Sequence, residues 1–377
     1  MSYENRGNRR IVHGTSAHPR YDVRIFLKQC RSVSASKEFD THLVVADGLG
    51  DEIRDNVKIH DVGRYGRGRA ARMIVRAYRV FCKVLELRPD LFHFHDPELI
   101  PYGILLRLMG YRVVFDVHES LPKQVLDKPW IPGLLRKPVA ALILCAEQVW
   151  FRALSASVAA TTSIESRIRG YTRSVIGAYN YPMRDELSAA VQSGAREAAV
   201  CYVGVITRAR GILPLIESLE RTPMRLHLIG EFENETLRLQ AQQMRGWANV
   251  VYHGQCERKK VAQIMAQCQG GVVTFLPLAN HFEAMPNKLF EYLSAGLPVI
   301  ASDFPAWREL LDGESYGWLV DPNNSQELAR VFQEILNHPE EAASRGRAGR
   351  RAVIERFNWE TEATKILNLY KQLLSKP

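Results

Sequence analysis

Two carboxylates, Glu283 and Glu291, are separated by seven residues in the stretch Phe282 to Asp303, FEAMPNKLFEYLSAGLPVIASD. Between them, Pro286 suits the first turn of a helix, where its missing N–H costs nothing. Leu289, Phe290 and Leu293 recur with a helical period. Gly296 is a stop signal with Pro298 close behind, and PVIAS reads as a short buried strand. The order is loop, helix, turn, strand. Glu283 then sits just before the helix, at its positive end, and Glu291 about two turns in. Free N–H groups at a helix start favour an anion. A carboxylate deeper in the helix holds vicinal hydroxyls through charge-assisted hydrogen bonds. Together they suit a ligand carrying both a phosphate and a sugar. Spacing alone is weak, because two Glu eight residues apart also arise on helix faces that are merely solvated.

The elements that must hold these groups alternate between strand and helix in both halves of the chain. Residues 10–14, 41–46, 57–62, 91–99, 112–120, 157–162 and 174–179 read as strands or strands running into loops. After Asn180-Tyr181-Pro182 breaks the pattern, residues 199–206, 225–230, 250–254, 270–276, 298–302 and 317–320 repeat it. This alternation predicts an α/β protein of two parallel-sheet, Rossmann-like domains facing across a cleft, 1–180 and 181–355. The connection MRDELSAAVQSGAREA reads as polar and helical. The amphipathic tail, 356–377, is expected to cross back to the first domain, anchored by Phe357 and Trp359.

Ligands of open α/β sheets bind beyond the carboxyl ends of the strands. His118 and Glu119 fall there, as does the Asp96-Pro97-Glu98 turn. His93 and His95 alternate with apolar residues and share one strand face. No Cys or third ligand has a suitable spacing beside them, so no metal site is expected.

Charge is unevenly spread. Residues 1–180 hold 28 Lys and Arg against 18 Asp and Glu, while residues 181–377 hold 22 against 23, so the whole formal excess of +9 lies in the first half. That predicts an anionic partner for the first domain, a membrane or nucleic acid. Arg69, Arg72, Arg76, Arg79 and Lys83 step by three and four along a predicted helix over 69–87. They share one face, with Met73, Ile74, Ala77, Val80, Phe81, Val84 and Leu85 on the opposite arc. This is a basic amphipathic helix of the kind that lies on anionic membrane, or else a surface helix with a solvated stripe. Residues 122–154 again mix Lys123, Lys128, Trp130, Arg136, Lys137, Trp150 and Phe151 with apolar residues, which suits lipid or a lipid-linked acceptor. No nucleic-acid module is evident. The six cysteines form no CxxC pair and read as reduced residues of a cytosolic protein. MSYENRGNRR has no apolar core of a signal peptide, and the longest apolar run, 139–146, is too short to span a bilayer.

Glu283, Pro286, Asn287, Lys288, Leu289, Glu291, Ala295, Gly296, Pro298 and Val299 resemble the Glu-x7-Glu signature of retaining glycosyltransferases of family 4, which have the GT-B fold. The resemblance implies that Glu283 sits by the donor sugar and that Glu291 holds the ribose of a nucleotide-sugar, with a UDP-sugar as the expected donor. It places Met285, Pro286, Asn287, Lys288 and Leu289 at the donor. The family usually has Gly after the first Glu, where Ala284 stands here. In GVITRARGI the family often has Gly-Arg and then Lys-Gly, whose cations hold the diphosphate. Here Val205 follows Gly204, Arg210-Gly211 replaces Lys-Gly, and Arg208 is a second candidate cation. His253-Gly254-Gln255 corresponds to the base cradle. A subset of the family has the loop matched by His18, Pro19, Asp22, Arg24 and Ile25, implying acceptor contacts from His18, Asp22 and Arg24, joined by His95 and Glu119. His118 corresponds to a histidine near the reacting sugar carbon, so it is paired with Glu283 as a catalytic candidate. The implied activity is hexosyl transfer, by front-face attack, to a lipid-linked saccharide in surface polysaccharide or lipopolysaccharide assembly, at the cytoplasmic face of the inner membrane. No cofactor or divalent metal is expected. The rival readings are a nucleotide-sugar epimerase of the same architecture and a basic nucleic-acid binder.

Overall fold

A computed structural model describes residues 8–65, 72–126, 131–185, 187, 196–278, 281–282, 284–313 and 315–375. The chain divides into two compact units, residues 1–180 with 359–377, and residues 181–358. The polar connection expected after 182 and the expected site residue Glu283 fall largely or wholly outside the described residues.

Unit 1 is built on eight strands: β1 (Arg9–Gly14), β2 (Phe39–Val45), β3 (Glu52–Arg54), β4 (Val57–Asp61), β5 (Leu91–Phe94), β6 (Arg112–Val117), β7 (Ala156–Ala159) and β8 (Val175–Gly177). Their order is β3-β4-β2-β1-β5-β6-β7-β8. All pairs are parallel but β3–β4, which is antiparallel. That hairpin turns through Asp55 and Asn56, both at positive φ, the backbone a tight two-residue turn demands. The sequence reading missed β3, because three residues are too few for a period.

The period-2 pattern of LFHFH sends its phenylalanines and histidines to opposite faces of the sheet. Phe92 and Phe94 pack with Val80, Phe81, Val84 and Leu106, beneath helices Ala77–Leu87, Ile100–Leu108 and Gly133–Ala153. His93 lies on the other face, where its ring meets that of Tyr370 on helix Trp359–Ser375. Trp359 opens that helix fully buried and donates from Nε1 to Ser32 Oγ at 2.9 Å. Phe357 instead remains in unit 2, against Tyr181 and Phe290, so only one of the two expected anchors serves unit 1.

The basic helix differs from expectation. Arg69 lies outside the described residues, as does the side chain of Arg72. The helix starts as a π-type turn, Arg72–Arg76, before continuing as α-helix from Ala77. A π turn holds more residues per turn than an α-helix, so the first residues slip out of phase with the rest. Met73, Ile74 and Tyr78 are accordingly exposed. Arg76 donates to Tyr65 O, and Arg79 lies over the Tyr65 ring at 3.5 Å. Lys83 pairs with Glu86 at 2.9 Å. The outward face is thus largely apolar, and the cations flank it.

Unit 2 carries six parallel strands, β9 (Ala199–Val203), β10 (Arg225–Ile229), β11 (Val250–Gly254), β12 (Gly270–Val273), β13 (Val299–Ser302) and β14 (Gly317–Val320), in the order β11-β10-β9-β12-β13-β14. Each falls where the sequence pattern puts a strand. Val200, Tyr202, Leu226, Leu228, Val272, Ile300 and Val320 form one core with the helices. Both units are therefore Rossmann-like parallel sheets, with the strand carboxyl ends presenting the loops described next.

Candidate active site

Three elements of unit 2 bring Gly204, Arg210 and Lys288 together. Gly204 follows β9, Arg210 closes the single turn Arg208–Arg210, and Lys288 lies in the first turn of helix Asn287–Ser294. Gly204 has φ 121°, and a β-carbon there would lie 3.1 Å from Lys288 Nζ and 3.7 Å from Arg210 Nη1. Any side chain would block the space where the two cations converge. Gly211 (φ 72°) is equally constrained, because its β-carbon would fall 1.9 Å from Thr274 O.

Lys288 is buried, and its Nζ has no hydrogen-bond partner. It sits 4.0 Å from the Tyr202 ring centre and 5.7 Å from that of Phe275, which Arg210 also faces at 5.5 Å. Aromatic faces attract a cation but do not replace a counter-ion. Burial, and then the Arg210 guanidinium, lower the Lys288 pKa to about 7 against the opposing pull of Glu291. Two cations that converge with no salt-bridge partner among the described residues suit an anionic ligand.

Arg208, the other candidate, points elsewhere and donates to Gln240 Oε1. Arg210 is the arginine at the cation pair, which corrects the expectation that Arg208 shares it. Leu289 is also corrected. Its side chain is fully buried in the core and its N–H is taken by Pro286 O, so it holds the helix rather than a ligand. Pro286 caps the helix from just outside, while Met285 is half-buried and Asn287 exposed beside it. Glu291 is on the same helix and accepts from Arg258 Nη1 at 3.1 Å. Gly254, at φ 63°, ends β11 and accepts from Gly230 N. Spacing did not signal Tyr202 and Phe275, whose rings reach the site only through the sheet order.

In unit 1 the loop after β1 meets the ends of β5 and β6. Asp96 Oδ2 accepts from Thr15 Oγ1 at 2.7 Å and Ser16 N at 2.6 Å, which shapes the loop. His18 bridges two carboxylates, Asp22 at 3.3 Å and Asp96 at 3.4 Å. The hydrogen bond with Asp22 raises the His18 pKa against burial, with Asp96 adding to the rise. Asp22 also caps the helix at Val23–Cys30, accepting from Arg24 N and Ile25 N. The His118 ring centre lies 5.6 Å from that of His18, and His118 Nε2 is 2.9 Å from Asp116 Oδ2; since a carboxylate only accepts, Nε2–H is the donor. Glu119 is exposed at the same strand end.

Two expected acceptor contacts are not available to a ligand. Arg24 is buried and holds both oxygens of Asp116, at 2.9 and 2.7 Å. His95 is buried with one ring nitrogen on Asp116 and the other on His13. Each is a support of the site, not a surface of it. The sequence pattern gave no role to His13 or Asp116, because neither is near His95 or His118 in any recognisable motif.

Among the described residues, the trios His13–His93–His95 and His95–Asp116–His118 are close enough to share an ion. His13 Nδ1 and His95 Nε2 are 3.1 Å apart, within hydrogen-bond reach of each other. In the second trio, Arg24 already neutralises Asp116. Hydrogen bonding accounts for both groups.

The Lys288 environment predicts a pH dependence. A diphosphate binds the ammonium form, so its affinity should be flat below about pH 7 and fall by up to about tenfold per unit above it. Titration calorimetry with UDP from pH 7 to 9 checks this, and Lys288→Met should abolish the slope. A flat wild-type profile would contradict it.

The family model for glycosyl transferases group 1 matches residues 183–352. The O-antigen chain mannosyltransferase C of Escherichia coli is 27% identical over 175 residues, covering 46% of this chain and 46% of that protein. The chain thus spans about half the length of that relative. Sucrose-phosphate synthase from Thermosynechococcus elongatus has a similar structure, with a TM-score of 0.73 at 18% identity over 98% of this chain and 100% of that one. So does Anabaena Alr3699/HepE in complex with UDP, with a TM-score of 0.71 at 16% identity over 97% of this chain and 100% of that one. Residues 183–352, in the unit that holds the cation pair, thus match the glycosyl transferases group 1 family, and over its whole length the chain has the GT-B fold.

Proposed function

We propose that this protein transfers a hexosyl group from a UDP-sugar to a lipid-linked saccharide in surface polysaccharide assembly, with retention at the anomeric carbon. The observation that carries the reading is the pair of cations around Gly204, Lys288 with no hydrogen-bond partner at Nζ and Arg210 donating to Val205 O, one helix turn from Glu291. The diphosphate lies between the two cations and the helix start, where charge developing on the leaving phosphate is stabilised. Glu291 takes the ribose hydroxyls, releasing Arg258. Glu283, outside the described residues, holds the sugar. The acceptor hydroxyl attacks from the face the diphosphate leaves, and the leaving phosphate oxygen takes its proton. His18, Asp22 and Glu119 meet the acceptor, and His118 the sugar. The UDP bound to HepE and the mannosyltransferase likeness support the donor class and the acceptor class respectively.

Membrane docking follows from the acceptor. No helix among the described residues is long and apolar enough to cross a membrane. Helix Gly133–Ala153 nonetheless leaves Leu134, Leu142 and Val149 exposed, and Met73, Ile74 and Tyr78 are exposed on the helix beginning at Arg72. These apolar groups with flanking Arg79, Arg136 and Lys137 suit shallow insertion into an anionic leaflet.

Incubation with labelled UDP-sugars, with and without membrane extract, tests the reaction. Label should enter lipid only with extract. Conversion of the donor without extract would instead indicate an epimerase, and no donor turnover would end the reading. Glu291→Gln should weaken UDP binding about tenfold to a hundredfold, the loss of a hydrogen bond to a charged group. Unchanged calorimetric affinity would remove Glu291 from the ribose site. Turnover should survive EDTA, because the cations offset the diphosphate; rescue by Mg²⁺ or Mn²⁺ would refute that. On anionic liposomes, Leu134→Asp with Leu142→Asp should reduce flotation at least about tenfold, since burying one Leu is worth about 1.5–3 kcal/mol. Equal flotation of variant and wild type would place the membrane contact elsewhere.

A further inference from the structure

The face of the unit 1 sheet opposite the phenylalanines carries a continuous line of polar rings. His93 Nδ1 lies 2.5 Å from Tyr370 Oη, which is 3.3 Å from His13 Nε2. His13 Nδ1 is 3.1 Å from His95 Nε2, and His95 Nδ1 is 3.1 Å from Asp116 Oδ2. His118 Nε2 reaches the same oxygen at 2.9 Å. Every member but His118 is buried.

The protons in this line can be assigned from one end. Arg24 bridges both Asp116 oxygens, and Gln29 Nε2 donates to Oδ2 at 2.6 Å. Burial would push the Asp116 pKa up, but Arg24 and His118 bring it well below the usual carboxylate range. An ionised carboxylate only accepts. His95 must therefore donate from Nδ1, which leaves Nε2 to accept from His13 Nδ1–H. His13 Nε2 then accepts from the Tyr370 hydroxyl, whose oxygen accepts from His93 Nδ1–H. His93 Nε2 is left as a bare lone pair, a buried atom with no hydrogen-bond partner. The three buried imidazoles stay neutral, because burial lowers each pKa. The alternative direction would require a donor at Asp116.

We propose that Asp116 is the positioning residue of the unit 1 site: it sets one proton arrangement along the His93–Tyr370–His13–His95 line and holds His118 as the Nε2–H tautomer, with its Nδ1 lone pair turned outward to accept from a substrate hydroxyl. The function of that lone pair rests on the glycosyltransferase reading; the proton arrangement does not. His118 is the member of the line that is only half-buried, so the buried carboxylate is expressed at the surface as an acceptor. A hydroxyl donating to Nδ1 keeps its own lone pairs for other donors, which selects an alcohol over an anionic group at this position.

Nitrogen-15 NMR of histidine-labelled protein reads the tautomers directly. The expected spectrum has His118 as Nε2–H and His13, His93 and His95 as Nδ1–H. A His118 Nδ1–H signal, or exchange between tautomers, overturns the proposal. Asp116→Asn supplies an amide that can donate, so His118 should shift toward Nδ1–H; if that variant fails to fold, the wild-type spectrum still decides. Function is read from two isosteres. His118→Asn keeps an acceptor where Nδ1 stands, and His118→Gln keeps a donor where Nε2 stands. We expect His118→Asn to retain kcat within about tenfold and His118→Gln to lose about tenfold to a hundredfold, with the KM for donor little changed. His118→Gln more active than His118→Asn would overturn the outward acceptor. Full activity of His118→Ala would instead refute the catalytic role given to His118, whatever the spectrum shows.

Discussion

A buried carboxylate has to be matched in both charge and hydrogen bonds, because leaving it unmatched costs several kcal/mol. Asp116 meets that demand with groups from three separate segments of unit 1. Helix Val23–Cys30 supplies Arg24 and Gln29, the end of β5 supplies His95, and the end of β6 supplies His118 beside Asp116 itself. The position of that helix against the sheet, the alignment of β5 with β6 and the orientation of His118 are all consequences of one acid. The same demand reaches the C-terminal helix, because His13, bonded to His95, is completed by Tyr370. Unit 1 therefore ties its last segment to its strand ends through polar contacts as well as through Trp359.

Unit 2 uses charge in the opposite way. Its cations Arg210 and Lys288 are brought together with no salt-bridge partner among the described residues. Lys288 is held by two aromatic faces and loses part of its proton affinity to burial and to Arg210. A bound anion would remove the mismatch with groups already in place and little reorganisation. Glu291, on the same helix as Lys288, is paired with Arg258 instead.

The exposed leucines of helix Gly133–Ala153 and the apolar outward face of the helix beginning at Arg72 belong to the same side of the unit 1 sheet. The intervening helix, Ile100–Leu108, adds Leu105 and Leu108 to the exposed apolar surface, and Tyr102 packs against both Tyr78 and Phe81. Contiguous apolar exposure of this kind marks an interaction surface rather than ordinary scatter.

Periodicity in the chain determined the parallel strands of both sheets, the helix that carries Lys288 and Glu291, and the presence of polar residues at the strand ends. Those features depend on residues adjacent in sequence, and a local period reports them. The three-residue β3 and the π-type start at Arg72 escaped it, one for being too short and the other for shifting the phase. The pairing of distant groups was also beyond reach. Arg208 and Arg210 are equivalent in sequence, and only the packing of Phe275 and Thr274 against the turn points Arg210 at Lys288. His95 looked like a surface ligand at a strand end until strand order put His13 beside it and Asp116 behind it. Asp116 is one acid among many in the chain. It became the centre of unit 1 because the parallel sheet and helix Val23–Cys30 brought five donor bonds to its two oxygens, and no run of neighbouring residues encodes a convergence of that kind.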